Sequence, residues 1–489
     1  MISTREDIKD FIVSIEDNYP VNLWEVNGIC IWPILRIRLY FYLMLKIESK
    51  KKESSTRSST IKIPPFRRVA YRAKRQLQKL YGVFKEYFLW KKKLPQKEFL
   101  FLGTNGHRVN YKGKRYNRFF DVLIEQYHLQ DSSLYFEYDS LPIRGQYHEE
   151  LLFKFDKALI AFKYFYRKKT TVKMNGYDLF LNFLQNNSQT KDFAFVNTVD
   201  VIKSWGSTQL APKIEFFKKV LQKIDPKKII ILCYYDENVM ALVAAANTLG
   251  IETIEMQHGP QTPIHLVYGS WTSVPEKGYD LLPRTYWCWD TYSKKVLDEW
   301  VKDAPLYNSR VIGNPWVNHW KRKQHKYPYN DYILYSLQPS PLTFEQLFDD
   351  ALIEFIKKQP YIWFIRLHPR QLGELDEIRF LLKNKGVLHK VDIDNATNDA
   401  LPLLLANAKI HITHFSGTTI ESSLFGKKTI LLNPIGLTSF PNLIEANIAV
   451  YLNMKDIDFH QKMIEILEND SSVTFDKNLE ELKNDNLFE

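Results

Sequence analysis

The sequence predicts an α/β protein: two Rossmann-like domains facing each other across a cleft, preceded by a helical, basic N-terminal segment. Three observations predict it. From Phe99 onward, short apolar runs alternate with amphipathic stretches of helical period, in two successive series. The runs are continuous rather than alternating (KIIILCY at 228–234, YILYSL at 332–337, YIWFIRL at 361–367), the pattern of strands buried on both faces of a parallel sheet. The chain also has 489 residues, 45% of them hydrophobic, with only 18 glycines and 22 prolines, which is ample for more than one core at about 100–200 residues per domain. That composition excludes a disordered or collagen-like chain. The expected division is 1–98, 99–284 and 285–489.

The elements follow in chain order. Residues 29–47 (ICIWPILRIRLYFYLMLKI) approach the length of a membrane span but carry Arg36 and Arg38 near the centre. Each costs about 2.5–3.5 kcal/mol at mid-membrane on insertion scales, so a buried or interfacial helix is expected instead. Residues 50–60 read as a polar loop, and 66–90 as a basic amphipathic helix. The first α/β series has strands at 99–103, 134–137, 228–234 and 251–256. A long helix is expected within 197–223 and another at 239–249, closed by Gly250. The second series has strands at 286–289, 311–312, 332–337, 361–367, 388–391, 409–413 and 428–432. Helices are expected near 292–300, 344–357, 401–405 and 419–425, with a polar helical stretch at 457–484.

The net charge of +11 is local. Residues 46–97 hold 17 Lys and Arg against three Glu, a balance of +14, and the remainder carries about −3. A cleft-wide basic surface for nucleic acid is therefore not expected. The basic helix suits an anionic membrane surface, where each cation contributes about 1 kcal/mol. Three cysteines without metal-type spacing (Cys30, Cys233, Cys288) and no visible leader point to a reduced, cytoplasmic setting.

Ligands of open α/β sheets bind beyond the carboxyl ends of the strands, which selects the loops there. After 99–103 lie Asn105, His107 and Arg108, candidates for the acceptor side of the cleft. After 228–234 come Asp236 and Glu237, and after 251–256 come Gln257, His258 and Gly259, with His265 and Tyr268 beyond. Asp236, Glu237 or His258 could serve as general base for a hydroxyl. Arg366 and His368 end the strand at 361–367. His414 and the Ser416-Gly417-Thr418-Thr419 turn follow the strand at 409–413 and open a helix carrying Glu421. Hydroxyls and free N–H groups at such a helix start suit a phosphate, and cationic donors nearby add to it. No metal ligand set is expected: His411 and His414 fall on opposite faces of a strand. No G-x-G-x-x-G, G-x-x-x-x-G-K-[ST] or H-E-x-x-H motif occurs.

Arg366-Leu367-His368-Pro369 followed by Ser416-Gly417-Thr418-Thr419 is similar to the "HP" and "S/T-S/T" motifs of GT-B type bacterial capsule and lipopolysaccharide transferases, over about residues 99–452. Within these it resembles the sialyl- and Kdo-transferases that use CMP-sugars. The resemblance implies a metal-independent glycosyltransferase with no cofactor beyond its nucleotide-sugar donor. His368, Ser416, Thr418 and Thr419 would then contact the donor phosphate or nucleotide, with Gly313, Asn314 and Gln338 on the donor side. Asp236-Glu237-Asn238 matches the acidic motif of sialyltransferases only loosely. The acceptor implied is a lipid-linked surface glycan, met at the inner face of the cell membrane. The same fold also serves CDP-polyol phosphotransferases and UDP- or GDP-sugar transferases, and a non-catalytic sugar-nucleotide-binding subunit is the alternative outside enzymes.

Overall fold

The structure is a computed structural model that describes residues 2–52, 93–138, 144–322, 327–338, 342–469 and 487–488. The expected basic helix at 66–90 lies outside the described residues. The chain divides into two compact units, Met1–Val109 with Gly113–Val311, and Asn110–Lys112 with Ile312–Glu489.

The first unit begins with a helix, Arg5–Asn18, whose N-terminus is closed by a Thr4–Asp7 capping box. Strands β1 (Trp24–Val26) and β2 (Ile29–Cys30) form a small antiparallel sheet with β8 (Val172–Met174). The apolar run then forms the helix Trp32–Lys52. Its arginines explain why it lies in protein. Arg36 is fully buried: its Nε donates to Glu16 Oε1 at 2.7 Å, and its guanidinium also donates to the carbonyls of Leu266, Gly269 and Ser270. Arg38 pairs with Glu237 at 2.6 Å and lies over the Trp205 ring. Among the described residues no helix is long and apolar enough to cross a membrane.

The main sheet of this unit comprises β3 (Phe99–Gly103), β6 (Ser133–Glu137), β7 (Leu152–Lys154), β9 (Lys228–Ile231), β10 (Glu252–Met256), β11 (Thr285–Cys288) and β12 (Asn308–Val311). Two short strands, β4 (Arg108–Tyr111) and β5 (Lys114–Asn117), follow β3 in sequence. The sheet is parallel throughout, in the order β12-β11-β10-β9-β3-β6-β7. Counted along the chain this is 3-2-1-4-5-6-7, the Rossmann order with one strand added, and its direction reverses between β3 and β9. The expected boundary at 284/285 is thereby corrected. β11 and β12 extend the first sheet, because Ile254 pairs with Thr285 and Thr285 with Asn308 in unbroken parallel register.

The long helix expected within 197–223 is present, with one irregularity: Val199–Trp205 continues through a π-helical turn at Gly206–Leu210 into Ala211–Ile224. Pro212 has no N–H and crowds the carbonyl four residues earlier, so the wider turn accommodates it. Gly206 is required there, since a Cβ would come within 2.9 Å of Val26 Cγ2. The all-apolar face of the helix Glu237–Thr248 packs on Ala211–Ile224.

The second unit holds β13 (Ile333–Ser336), β14 (Trp363–Arg366), β15 (Val391–Asp392), β16 (Ile410–Thr413), β17 (Thr429–Leu431) and β18 (Ala449–Tyr451). Its parallel order, β15-β14-β13-β16-β17-β18, is again 3-2-1-4-5-6, with the reversal between β13 and β16. The strand expected at 388–391 is mostly a 3-10 turn, Leu388–Lys390, leaving only two residues to pair. Ile333, Tyr335, Ile365, Ile410, Ile412 and Ile430 build the core on one face of this sheet. The helix Phe459–Glu468 accounts for part of the polar stretch expected at 457–484.

Candidate functional site

In each unit the crevice at the reversal of strand order is where the Rossmann topology exposes loop residues to a ligand. In the first unit, β3, β9 and β10 end there side by side. They carry His107, Cys233 and His258 into one cluster: Cys233 Sγ lies 3.0 Å from His258 Nε2 and 3.6 Å from His107 Nε2. The two imidazole rings are 5.3 Å apart between centroids. Each of the three is only partly buried.

A buried acid supports this cluster from behind. Glu255, fully buried on β10, accepts from Tyr268 Oη at 2.9 Å and from the Tyr234 amide at 3.2 Å. Its Oε1 also lies 3.5 Å from His258 Nδ1, which is 3.4 Å from the Met256 carbonyl. Burial pushes the Glu255 carboxyl well above its usual range. Cys233 sits at φ +61°, a left-handed conformation that costs an L-residue about 1–3 kcal/mol. The Glu255 bond to the next amide helps to hold that turn. Burial pushes the Cys233 thiol up to about 12 and His258 down to about 4, and His107 falls well below its ordinary value for the same reason and because His258 is near.

The other expected groups of this unit hold structure. Asp236 caps the helix Glu237–Thr248, its Oδ1 accepting from Asn238 N at 2.8 Å and Val239 N at 3.4 Å. Glu237 is bound by Lys213 at 2.6 Å, Arg38 at 2.6 Å and Trp205 Nε1 at 3.1 Å. Burial pushes its carboxyl upward, and Lys213 and Arg38 outweigh that and leave it below the usual range. Arg108 is buried against Glu137 at 2.6 Å and Asp121 at 3.6 Å, which places it in the core rather than on an acceptor surface. The Asn105 side chain is 3.5 Å from Gln146 Nε2. Gln257 is buried, donating to Gly259 O and Ser293 Oγ at 3.0 Å and accepting from the Trp289 amide at 2.6 Å. Gly259 itself borders open space. His265 is half-buried, and desolvation of its ring pushes it down to about 4.

In the second unit, β13, β14 and β16 deliver Gln338, His368 and the 414–419 turn. The Arg370 amide donates to His368 Nδ1 at 3.1 Å, so the neutral ring carries its proton on Nε2 and presents a donor there. Gln338 Oε1 accepts from the Phe415 amide at 2.6 Å, tying the loop after β13 to the loop after β16. His414 Nε2 lies 3.0 Å from Tyr335 Oη, whose proton goes to the Leu347 carbonyl. Ser416 Oγ accepts from the Thr418 amide at 3.3 Å, while Thr419 Oγ1 donates to the Ser416 carbonyl at 2.8 Å. Thr418 Oγ1 is 3.3 Å from His411 Nε2.

Gly417 precedes the helix Thr418–Leu424, on which Glu421 is buried. Arg366 donates through Nη1 to the Ala396 and Asp399 carbonyls at 2.6 and 2.8 Å, so that arm clamps a neighbouring loop. Asn314 caps the helix Pro315–Arg322 through the Trp316 amide, and Gly313 before it adopts φ +74°.

Sequence reasoning singled out His107 and His258 separately, and did not join them to Cys233 or notice Glu255. The cluster joins positions 25 and 126 apart along the chain, beyond any local spacing rule. A glutamate inside an otherwise buried strand, IETIEM, was the available signal for Glu255.

No protein-family model and no curated protein sequence matches the chain. Solved structures with similarity include UDP-GlcNAc 2-epimerase from Methanocaldococcus jannaschii, at 14% identity and TM-score 0.44, covering 77% of this chain and 96% of that one. The enzyme of the same name from Neisseria meningitidis bound to UDP-GlcNAc gives 15% and 0.45, covering 76% and 92%. A UDP co-structure of S. aureus MnaA gives 12% and 0.45, covering 78% and 89%. Similarity at this level assigns no activity to the chain.

Proposed function

We propose that this chain is a sugar-nucleotide enzyme, a glycosyltransferase that moves a sugar from a nucleotide donor to a hydroxyl of a lipid-linked surface glycan. The observation that carries the reading is the strand reversal of the second unit, where His368 and the 416–418 turn offer donors at the ends of β14 and β16, the two strands that flank β13. There His368 Nε2–H, the Ser416 and Thr418 hydroxyls and the Gly417 amide would hold the donor phosphate. As the acceptor oxygen forms its bond to the anomeric carbon, the bond to the phosphate oxygen breaks, and these donors stabilise the charge left on the departing nucleotide.

The acceptor hydroxyl needs a general base. Asp236 and Glu237 are engaged in a cap and in ion pairs, which leaves His258, kept neutral by burial, as the base. The HP and S/T-S/T resemblance supports a CMP-linked acidic sugar (Kdo or a nonulosonic acid) as donor. The +14 stretch at 46–97 supports a place on the anionic inner face of the membrane.

A thermal-shift panel of CMP, CDP, UDP and GDP tests the donor. Stabilisation by CMP that is lost in His368→Ala is the expected result. Preference for UDP or GDP overturns the CMP assignment, and preference for CDP points to polyol-phosphate transfer. No shift with any nucleotide overturns the enzyme reading.

A further inference from the structure

His107, Cys233 and His258 already have the shape of a metal site. A tetrahedral zinc ion with Zn–S of about 2.3 Å and Zn–N of about 2.0–2.1 Å sets its sulfur and nitrogen ligands about 3.5 Å apart. Here the sulfur-to-nitrogen separations are 3.0 and 3.6 Å, and all the ligand atoms lie within 4.8 Å of one another. We propose that these three side chains bind a zinc-class divalent ion, with the fourth position open to a small oxygen ligand.

The surroundings support this independently of the distances. His258 Nδ1 faces Glu255 Oε1 and the Met256 carbonyl, which fixes the ring proton on Nδ1 and turns the Nε2 lone pair toward Cys233. A carboxylate behind a ligating histidine is the arrangement that orients such ligands in metal sites. Glu255 is itself fixed by Tyr268 and the Tyr234 amide. The donor set of one thiolate and two imidazoles selects zinc and its neighbours over magnesium or calcium. The three strands that supply it end beside the reversal of strand order, where ligands enter such sheets. Three protein ligands and one open position are the composition of a catalytic rather than a structural zinc site.

The inference goes beyond the transfer reading and stands without it. A loaded site takes the Nε2 lone pair that a base role for His258 needs. A loaded ion would instead polarise a hydroxyl bound at the open position, so that its proton could pass to solvent water.

The test uses the full-length protein stripped with a chelator, then titrated with zinc against a chromophoric competitor and, separately, with cobalt(II). One zinc per chain and a cysteinate-to-cobalt charge-transfer band are expected. Cys233→Ser should abolish that band, and His107→Asn and His258→Asn should each weaken zinc binding tenfold or more. Glu255→Gln should weaken it while leaving the band in place, because the band reports the Cys233 sulfur and Glu255 acts through His258. Wild-type protein without the band, or zinc affinity unchanged in Cys233→Ser, overturns the proposal. The wild-type spectrum decides even if a variant fails to fold. The nucleotide panel reads the second unit, so failure of one proposal is distinguishable from failure of the other.

Discussion

The two units share one strand order and solve the same problem differently. In the second unit, the side chains at the strand reversal largely hold their own loops: Gln338 fastens Phe415, Ser416 accepts from Thr418, and an Arg366 arm is given to two carbonyls. In the first unit Asp236 and Gln257 do the same, but part of that work falls to groups behind the loops or outside the sheet. Arg36, from the helix Trp32–Lys52, fixes the carbonyls of Leu266, Gly269 and Ser270, and Glu255 anchors Tyr234 and Tyr268. His107, Cys233 and His258 are thereby left to converge. Side chains become available for chemistry where the structural hydrogen bonds are made by something else.

The strongest way to break this contrast is to remove the outside support. Arg36→Met would leave Glu16 buried without its cation and three carbonyls without their donor. A loss of about 3–5 kcal/mol is expected, read as a lower midpoint in chemical denaturation. A loss below about 1 kcal/mol would mean that the first unit, too, holds its own loops.

A second test addresses the inner packing of the second unit. Burial pushes His411 down to about 3 and His414 to about 4, whereas in the unfolded chain each titrates near 6.5. Between those values the unfolded chain binds more protons, so stability is highest above about pH 6.5 and falls as the pH drops toward 4. The slope should approach about 1.4 kcal/mol per pH unit for each ring. A flat stability profile from pH 6.5 to 4.5 would show that these rings are not held neutral.

The smallest effect sharpens the assignment in the first unit. Asp236→Ala removes a helix cap and should cost about 1 kcal/mol, with turnover per folded molecule retained. A large fall in turnover at unchanged stability would restore Asp236 as the base.

Much of the scaffold was legible because buried parallel strands write themselves as apolar runs. KIIILCY, IETIEM, YILYSL and YIWFIRL all contain the central strands of their sheets. The arginines at 36 and 38 argued for a buried or interfacial helix, and the pairing of Arg36 with Glu16 and of Arg38 with Glu237 packs it against protein. The unit boundary was not legible, since β11 and β12 resemble the opening of a new series and only pairing with β10 assigns them. β7 and β18 are three residues each, too short for a period to show. Among site residues, the positions at strand ends were found and their duties were not. Whether Asp236 caps a helix or takes a proton depends on which amides face it, and that is set by the fold.

The buried Arg36 has a practical consequence for anyone shortening this chain. The first 98 residues look dispensable on paper, a greasy stretch and a basic one ahead of a recognisable sheet. Yet the loop bearing His265 and Tyr268 is pinned from that side, by one guanidinium and the Glu16 carboxylate it meets. An expression fragment beginning at the first strand of the main sheet would keep every residue of the thiol–imidazole cluster and discard the clasp that keeps its neighbouring loop in place.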